Sequence, residues 1–273
     1  MIVVTGGTGN VGRALVARLA EAGAAVTAVA RHITHEDVPP GVRILAADLG
    51  RPDALASAWE GATALFLLVA GDDPEGLLKR AAAAGVRKVV LLSTQGVGTR
   101  PESYAHAARF EAAVADSGPA FTVLRSGGMA SNTLAWAEPV RRHRTVAAPF
   151  ADVALPFVDP DDVAAVAAAV LREDGHDGLT YTLTGPEATT PRQRAADLAR
   201  VLGEPVTFVE QSREEARAQM AAFMPDAVVE GTLAILGEPT PEERAVSPDV
   251  ERILGRPATP FAHWAARNAA AFC

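Results

Sequence analysis

The first 127 residues alternate strictly: short runs that are apolar along their whole length take turns with longer amphipathic runs, and this limits the folds open to the chain. The apolar runs are IVVT (2 to 5), AVTAVA (25 to 30), VRILAA (42 to 47), ALFLLV (64 to 69), KVVLLS (88 to 93) and FTVLR (121 to 125). Between them, GRALVARLAEAG, PDALASAWEG, GLLKRAAAAG and ARFEAAVADSG have helical spacing, and several stop at a glycine suited to a C-cap. A strand with no polar face must be covered on both sides. Helices inserted between successive strands supply those covers, so the pattern predicts a doubly wound α/β fold with a parallel sheet.

The first apolar run leads straight into TGGTGNVG (5 to 12) and then into a helical run. Gly7, Gly9 and Gly12 satisfy G-x-G-x-x-G, while Gly6, Gly9 and Gly12 satisfy G-x-x-G-x-x-G. At a strand-to-helix turn, glycines tighten the bend and let backbone N–H groups approach a pyrophosphate, with the helix N-terminus favouring the anion. The expected cradle is Gly6, Thr8, Gly9, Asn10, Val11 and Gly12; the alternative is a glycine-rich turn that holds nothing. The end of the second strand chooses between cofactors, because a 2′-hydroxyl is usually held there by an acid and a 2′-phosphate by a cation. Arg31 stands at that place with His32 behind it and no acid before Glu36, so NADP(H) is expected over NAD(H). Asp48, followed by Leu49, either faces the adenine or caps the helix starting near Pro52. Val69, Ala70 and Ser93, at the ends of the fourth and fifth strands, complete the expected cofactor contacts.

After residue 127 the pattern loosens. DVALPFVDPDDVAAVAAAVL predicts a strand, a turn and a helix, and LTYTLTG (179 to 185) a further strand. Residues 1–127, completed by 151–185, are therefore read as a Rossmann-type domain, with 128–150 and 186–273 as a smaller substrate-binding lobe over its carboxyl edge. The acids of DPDDVA (159 to 164) fit helix capping better than a metal site, and none is expected. A net charge of −8 disfavours nucleic acid, and Arg141, Arg142, His143 and Arg144 read as a solvated loop or helix end. The single cysteine, Cys273, rules out an intrachain disulfide. The longest apolar runs are half a membrane span, so a soluble, cytoplasmic protein is expected.

TGGTGNVG, Arg31, the AADL around Asp48, STQGV after the fifth strand, and His106, Glu111 and SGPAFTVLRSGGMASN resemble the NmrA-like group of atypical short-chain dehydrogenases/reductases, including its quinone reductase-like members. TYTLTGPEATTPRQRAADLARVLG, SPDVERILGR and FAHWAARNAAAF resemble the C-terminal part of the same group. The resemblance implies a Rossmann-type domain, NADP(H) binding and a small variable substrate lobe. It leaves the reaction open, since the group includes quinone reductases, other small-molecule reductases and regulators that bind the dinucleotide without turnover.

Short-chain dehydrogenases work with Ser, Tyr and Lys, the last two spaced Y-x-x-x-K. A phenol donates the proton, the lysine lowers its pKa, and a hydroxyl polarises the carbonyl. Ser93 and Tyr104 are the candidates here, but Ala108 stands where the lysine belongs. Arg109 is one position too far, about 100° round the helix. Reduction of a ketone makes a basic alkoxide that needs a donor, whereas a quinone or conjugated enone leaves a delocalised oxyanion. The missing lysine therefore favours a conjugated acceptor. If the helix starts after Tyr104, His106 becomes a candidate donor facing the pocket; otherwise it is structural, and Glu111 is a helix-face or ribose-side anchor.

Gln95, Met129, Asn132, Phe157, Phe223 and Met224 are candidate pocket walls for a flat, partly hydrophobic small molecule, or else ordinary core. The resulting expectation is an NADPH-dependent reductase of a conjugated carbonyl compound, quinones first. The alternatives are an NADP(H)-binding redox sensor and a redox-neutral isomerase or epimerase. A homodimer is compatible with the sequence.

Overall fold

The computed structural model describes residues 1–273, with the side chain of Pro52 left aside. The chain runs β1 (Ile2–Thr5), α1 (Asn10–Glu21), β2 (Val26–Ala30), β3 (Arg43–Ala46), β4 (Ala64–Leu68), α2 (Pro74–Ala83) and β5 (Lys88–Thr94). It continues through α3 (Gly96–Thr99), α4 (Ala105–Asp116), β6 (Ala120–Ser126), α5 (Ala137–His143), β7 (Thr145–Pro149), α6 (Pro160–Arg172) and β8 (Leu179–Leu183). The remainder is α7 (Pro191–Leu202), β9 (Thr207–Gln211), α8 (Arg213–Ala221), α9 (Asp226–Gly237), α10 (Pro241–Arg244), α11 (Asp249–Leu254) and α12 (Phe261–Arg267).

Seven strands pair in parallel in the order β3-β2-β1-β4-β5-β6-β8. Side chains alternate between two buried faces. Val4, Ala28, Phe66, Val90 and Leu124 pack against Leu15 of α1 and Val163 and Ala167 of α6. Val3, Val29, Leu65, Leu91 and Val123 pack on the other side against Leu77 of α2 and Phe110 of α4. Each such fully buried aliphatic or aromatic side chain stabilises the fold by roughly 1.5–3 kcal/mol, which is why the inner strands are apolar along their length while the edge strands β3 and β8 are partly exposed. The sheet turns in opposite directions on either side of β1, so the switch point, the usual crevice for a nucleotide in this architecture, lies between β1 and β4.

The structure departs from the sequence expectations in three places. PDALASAW forms a 3₁₀ helix over Pro52–Trp59 rather than an α-helix. At three residues per turn, Leu55 and Ala58 eclipse and are both buried against the sheet. The strand expected within DVALPF is reduced to isolated bridges, Leu155 with Thr189 and Val158 with Met129. Pro156 has no N–H to give to a ladder. The later part of the chain also holds an unanticipated two-stranded parallel sheet, β7 with β9, pairing Thr145 with Thr207 and Pro149 with Gln211.

That small sheet belongs to a second core, where Val140, Val146, Leu198, Phe261, Trp264 and Phe272 are buried together. A satellite cluster of Ala216, Val229 and Leu233 joins α8 to α9. α11 turns back instead, and Val250 with Ile253 and Leu254 joins the α1/α6 face of the main sheet. The basic run is the last turn of α5, where Arg142 pairs with Glu138 and Arg144, the left-handed C-cap, pairs with Glu204. Among the described residues no helix is long and apolar enough to cross a membrane.

Candidate active site at the carboxyl edge

The turn from β1 into α1 is held by its own backbone. Gly7 N donates to Val29 O at 2.9 Å, and Gly9 N donates to Gly6 O at 2.9 Å. Gly6 sits at φ +67°, and a Cβ there would collide with the Leu68 side chain. A Cβ on Gly12 would collide with the Gly6 carbonyl, so only glycine lets the helix pass this close. At the adjoining strand ends, Thr5 Oγ1 donates to Phe66 O at 3.0 Å and accepts from Leu68 N at 2.9 Å, which fastens β1 to β4 at the switch point.

α1 begins at Gly9 with no side-chain cap and no acid in its first turn. By contrast α2, α6, α7, α8 and α10 are capped by Asp73, Asp159, Thr190, Ser212 and Thr240. The first-turn N–H groups of α1 are thus left for an anion, and the glycines keep clear the space a Cβ would fill. Both features fit the pyrophosphate of a dinucleotide. A cleft of ≈ 430 Å³ opens between Thr8, Gly9 and Asn10 on one side and Asp159, Trp264 and Arg267 on the other.

Past β2, Arg31 and His32 are exposed, and neither makes a side-chain hydrogen bond or ion pair among the described residues. The nearby Asp37 is already engaged: the Thr34 amide and hydroxyl and the Arg13 guanidinium, 3.2 Å away, hold its carboxyl below the usual range. An unpaired guanidinium at this strand end suits a 2′-phosphate. Asp48 does not cap the following helix, whose N-cap is Arg51; its Oδ1 accepts from Gly50 N at 2.9 Å and closes a turn. Leu49 and Gly50 press on Gly71, at φ +84°, so the loops after β3 and β4 touch, with Val69 and Ala70 half-buried just past β4.

The catalytic candidates are not brought together as the short-chain pattern requires. Ser93 Oγ donates to Glu111 Oε1 at 2.6 Å, and Glu111 is clamped by Arg125, Nε to Oε1 at 3.0 Å and Nη2 to Oε2 at 2.6 Å. The Ser93 proton therefore points to α4, on the α2/α4 face of the sheet. Tyr104 is the N-cap of α4; its ring lies against Gly96 and Gly231, and its hydroxyl is 3.2 Å from Thr232 Oγ1 of α9. Burial raises the Tyr104 pKa, and its hydrogen bond to Thr232 only partly opposes this. α4 does begin after Tyr104, yet His106 is exposed and edge-on to Phe110, with ring centroids 5.2 Å apart, and makes no hydrogen bond among the described residues. Arg109 pairs with Glu75 of α2.

Of the candidate walls, Gln95 is half-buried and donates from Nε2 to Glu242 O at 3.1 Å. Met129 is half-buried beside the main core, Asn132 is exposed, and Met224 packs on the α8/α9 cluster. Phe223 is 72% exposed and walls nothing. Phe157 is buried, with its ring perimeter against Gly128 and its face against the Arg194 guanidinium, 3.6 Å from the ring centroid.

The sequence reading did not single out Arg194. It is one of four charged residues in the buried set, and the other three are paired: Asp159 with Arg267, Asp162 with Arg256, and Glu243 with Arg100. Arg194 has no acid and no hydrogen-bond partner among the described residues; Phe157, Trp136 and Phe261 surround it. Burial pushes its pKa down to about 9, so it is still a cation at neutral pH.

The model of a family described as NAD(P)H-binding matches residues 6–174. Over its whole length the chain is 41% identical to the (4-alkanoyl-5-oxo-2,5-dihydrofuran-3-yl)methyl phosphate reductase of Streptomyces griseus, covering 99% of that protein. It is 31% identical to the NAD(P)H azoreductase of Xenophilus azovorans, covering 100% of this chain and 99% of that one. Among solved structures, an NADPH-dependent quinone oxidoreductase of Escherichia coli complexed with NADPH superposes with a TM-score of 0.81 at 28% identity, covering 98% of this chain and 99% of that one.

Proposed function

Because the chain belongs to the NAD(P)H-binding family, in the NmrA-like group of atypical short-chain dehydrogenases/reductases, and is an NADPH-dependent oxidoreductase, we propose that it reduces a small conjugated carbonyl compound, quinones included. The observation that carries this reading is the engagement of both expected hydroxyls. Ser93 gives its proton to Glu111, Tyr104 is held by Thr232 with a raised pKa, and Ala108 supplies no cation to lower it. A ketone reduced here would become a basic alkoxide with no tuned donor. A conjugated acceptor leaves its charge spread over several atoms, where hydrogen bonds and water suffice. The Streptomyces relative's name describes such an acceptor, a ring double bond conjugated to two carbonyls that share one of its carbons.

In this reading the N–H groups of Thr8, Asn10, Val11 and Gly12 hold the pyrophosphate, Arg31 holds the 2′-phosphate, and Asp48, Leu49, Val69 and Ala70 line the adenosine side. NADPH, when bound, supplies the hydride. Residues 128–150 and 186–273, apart from α11, which packs on the main sheet, serve as the substrate lobe, tied to the carboxyl edge by Gln95 on Glu242 and by Arg100 on Glu243. Their role is to orient the acceptor and keep water from the transferred hydride.

The test is a panel of quinones, enones and simple ketones, followed by loss of nicotinamide absorbance. Turnover of the conjugated members alone is expected; turnover of simple ketones, or of nothing, overturns the proposal. Tyr104→Phe should keep kcat within about tenfold of wild type, against the hundredfold or greater loss on removing a general acid.

A further inference from the structure

Arg194 is a cation the protein folds around without neutralising. An arginine is among the residues least often fully buried unless paired, because taking a charge out of water is costly and only a counter-charge or hydrogen bonds repay it. Aromatic faces offset part of that cost, and three surround this guanidinium. They accept none of its N–H donors, however, and Nε is sealed from water with no partner. Every other charged residue in the buried set has a partner of opposite charge, so the omission is local to Arg194.

The surroundings repeat the pattern. Of the five sealed side-chain polar atoms without a partner among the described residues, four are Ser131 Oγ, Thr133 Oγ1, Thr189 Oγ1 and Arg194 Nε. They lie on two short segments that meet at the carboxyl edge. Thr189 is bridged to Leu155, and Met129, which leads into Ser131 and Thr133, is bridged to Val158; Phe157 stands between those two bridges. Ser131 also lines the cleft beside Thr8 and Gly9. Phe157 is the cover: its ring face lies over the Arg194 guanidinium, and its perimeter meets exposed Gly128 of the loop after β6. A guanidinium and hydroxyls lacking partners are complementary to an oxyanion.

We propose that Arg194 recognises an oxyanionic substituent, a phosphate or carboxylate, on the acceptor, which takes the place of the Phe157 ring over the guanidinium. The inference rests on the reductase reading above and narrows its substrate class to anionic conjugated acceptors. Arg194 is here a specificity residue, remote from the reacting atoms.

The experiment compares a 2-alkyl-1,4-naphthoquinone with the same quinone whose alkyl chain ends in a phosphate or a carboxylate. In the wild type, kcat/KM for a charged member should exceed that for the neutral one by about tenfold or more, as expected for a charge-assisted pair. Arg194→Met should collapse that ratio, and Arg194→Lys, which keeps the charge and loses the fork, should restore part of it. An equal preference in the wild type, or an unchanged ratio in Arg194→Met, overturns the proposal. The second measurement is independent of turnover. With NADPH saturating, so that the cofactor's own phosphate sites are filled, inorganic phosphate should raise the wild-type Tm above a matched chloride control and leave that of Arg194→Met unmoved. The same shift in both proteins, or in neither, overturns the site. If no quinone is reduced, the acceptor reading fails, while the phosphate shift still decides Arg194.

Discussion

α1 and α6 pack side by side in one core layer and both begin at the same cleft, yet their first turns are built in opposite ways. α6 starts at Asp159, which caps it through the Asp161 amide, and carries Pro160, Asp161 and Asp162 in its first turn. α1 starts at a bare glycine with no acid to follow. The N-terminus of any helix attracts negative charge, whatever the source. α6 supplies its own and uses it as a fastening: Asp159 holds Arg267, and Asp162 holds Arg256 and the Thr259 amide. α1 supplies none, and in the proposed reading the cofactor's pyrophosphate brings it. The open start alone is not distinctive, since α3, α4 and α12 also lack a cap and a first-turn acid; what sets α1 apart is the glycine turn in front of it.

The contrast can be broken from either side. The largest effect is expected at Gly12→Ala, where the new Cβ meets the Gly6 carbonyl and the first turn of α1 must move. NADPH affinity, read by fluorescence titration, should fall about a hundredfold or more, because the N–H groups no longer converge. Unchanged affinity would mean that the cradle is elsewhere. Next is Arg31→Asp, which should weaken NADPH by roughly ten- to a hundredfold, as loss of charge-assisted bonds implies, while NADH changes little; an equal loss of both would remove Arg31 from the 2′-phosphate. The smallest is Asp159→Ala, which takes the cap from α6 and the partner from Arg267. Denaturant midpoints should register a loss of roughly 1–3 kcal/mol, with NADPH affinity close to wild type. A variant whose cofactor affinity fell as steeply as that of Gly12→Ala would show that the two starts act as one.

The sheet was legible because its inner strands carry their burial requirement in their own few residues, as IVVT and KVVLLS do. The α1 turn was legible for the same reason, since the glycines act through backbone close to them in sequence. The fate of Ser93 was not. Its proton goes to Glu111, which is fixed by Arg125, and Arg125 stands beside Ser93 only through the β5/β6 register. β7 and β9 were missed because their pairing joins distant stretches of chain, and β9, largely exposed, carries no continuous apolar run. Arg194 did leave a trace: it falls on the stripe of Pro191, Ala195 and Leu198, the buried face of α7, where a surface arginine does not belong.

The pairing of β7 with β9 sets an order of events during synthesis. Thr145 must wait for Thr207, and at ordinary translation rates that delay is roughly 3 to 12 s. β8 ends at Leu183, so the last strand of the seven-stranded sheet is made before any of β9 exists. From Leu183 to Thr207 the nascent chain carries a finished set of sheet strands beside an unpaired strand of the small sheet. The second core closes only when Phe272 arrives. A ribosome paused between these points would display an open strand edge to its surroundings, the feature that recruits chaperones or another copy of the chain. Slowing translation between residues 184 and 207 with rare codons is therefore expected to lower the soluble fraction of newly made chain, read by fractionation.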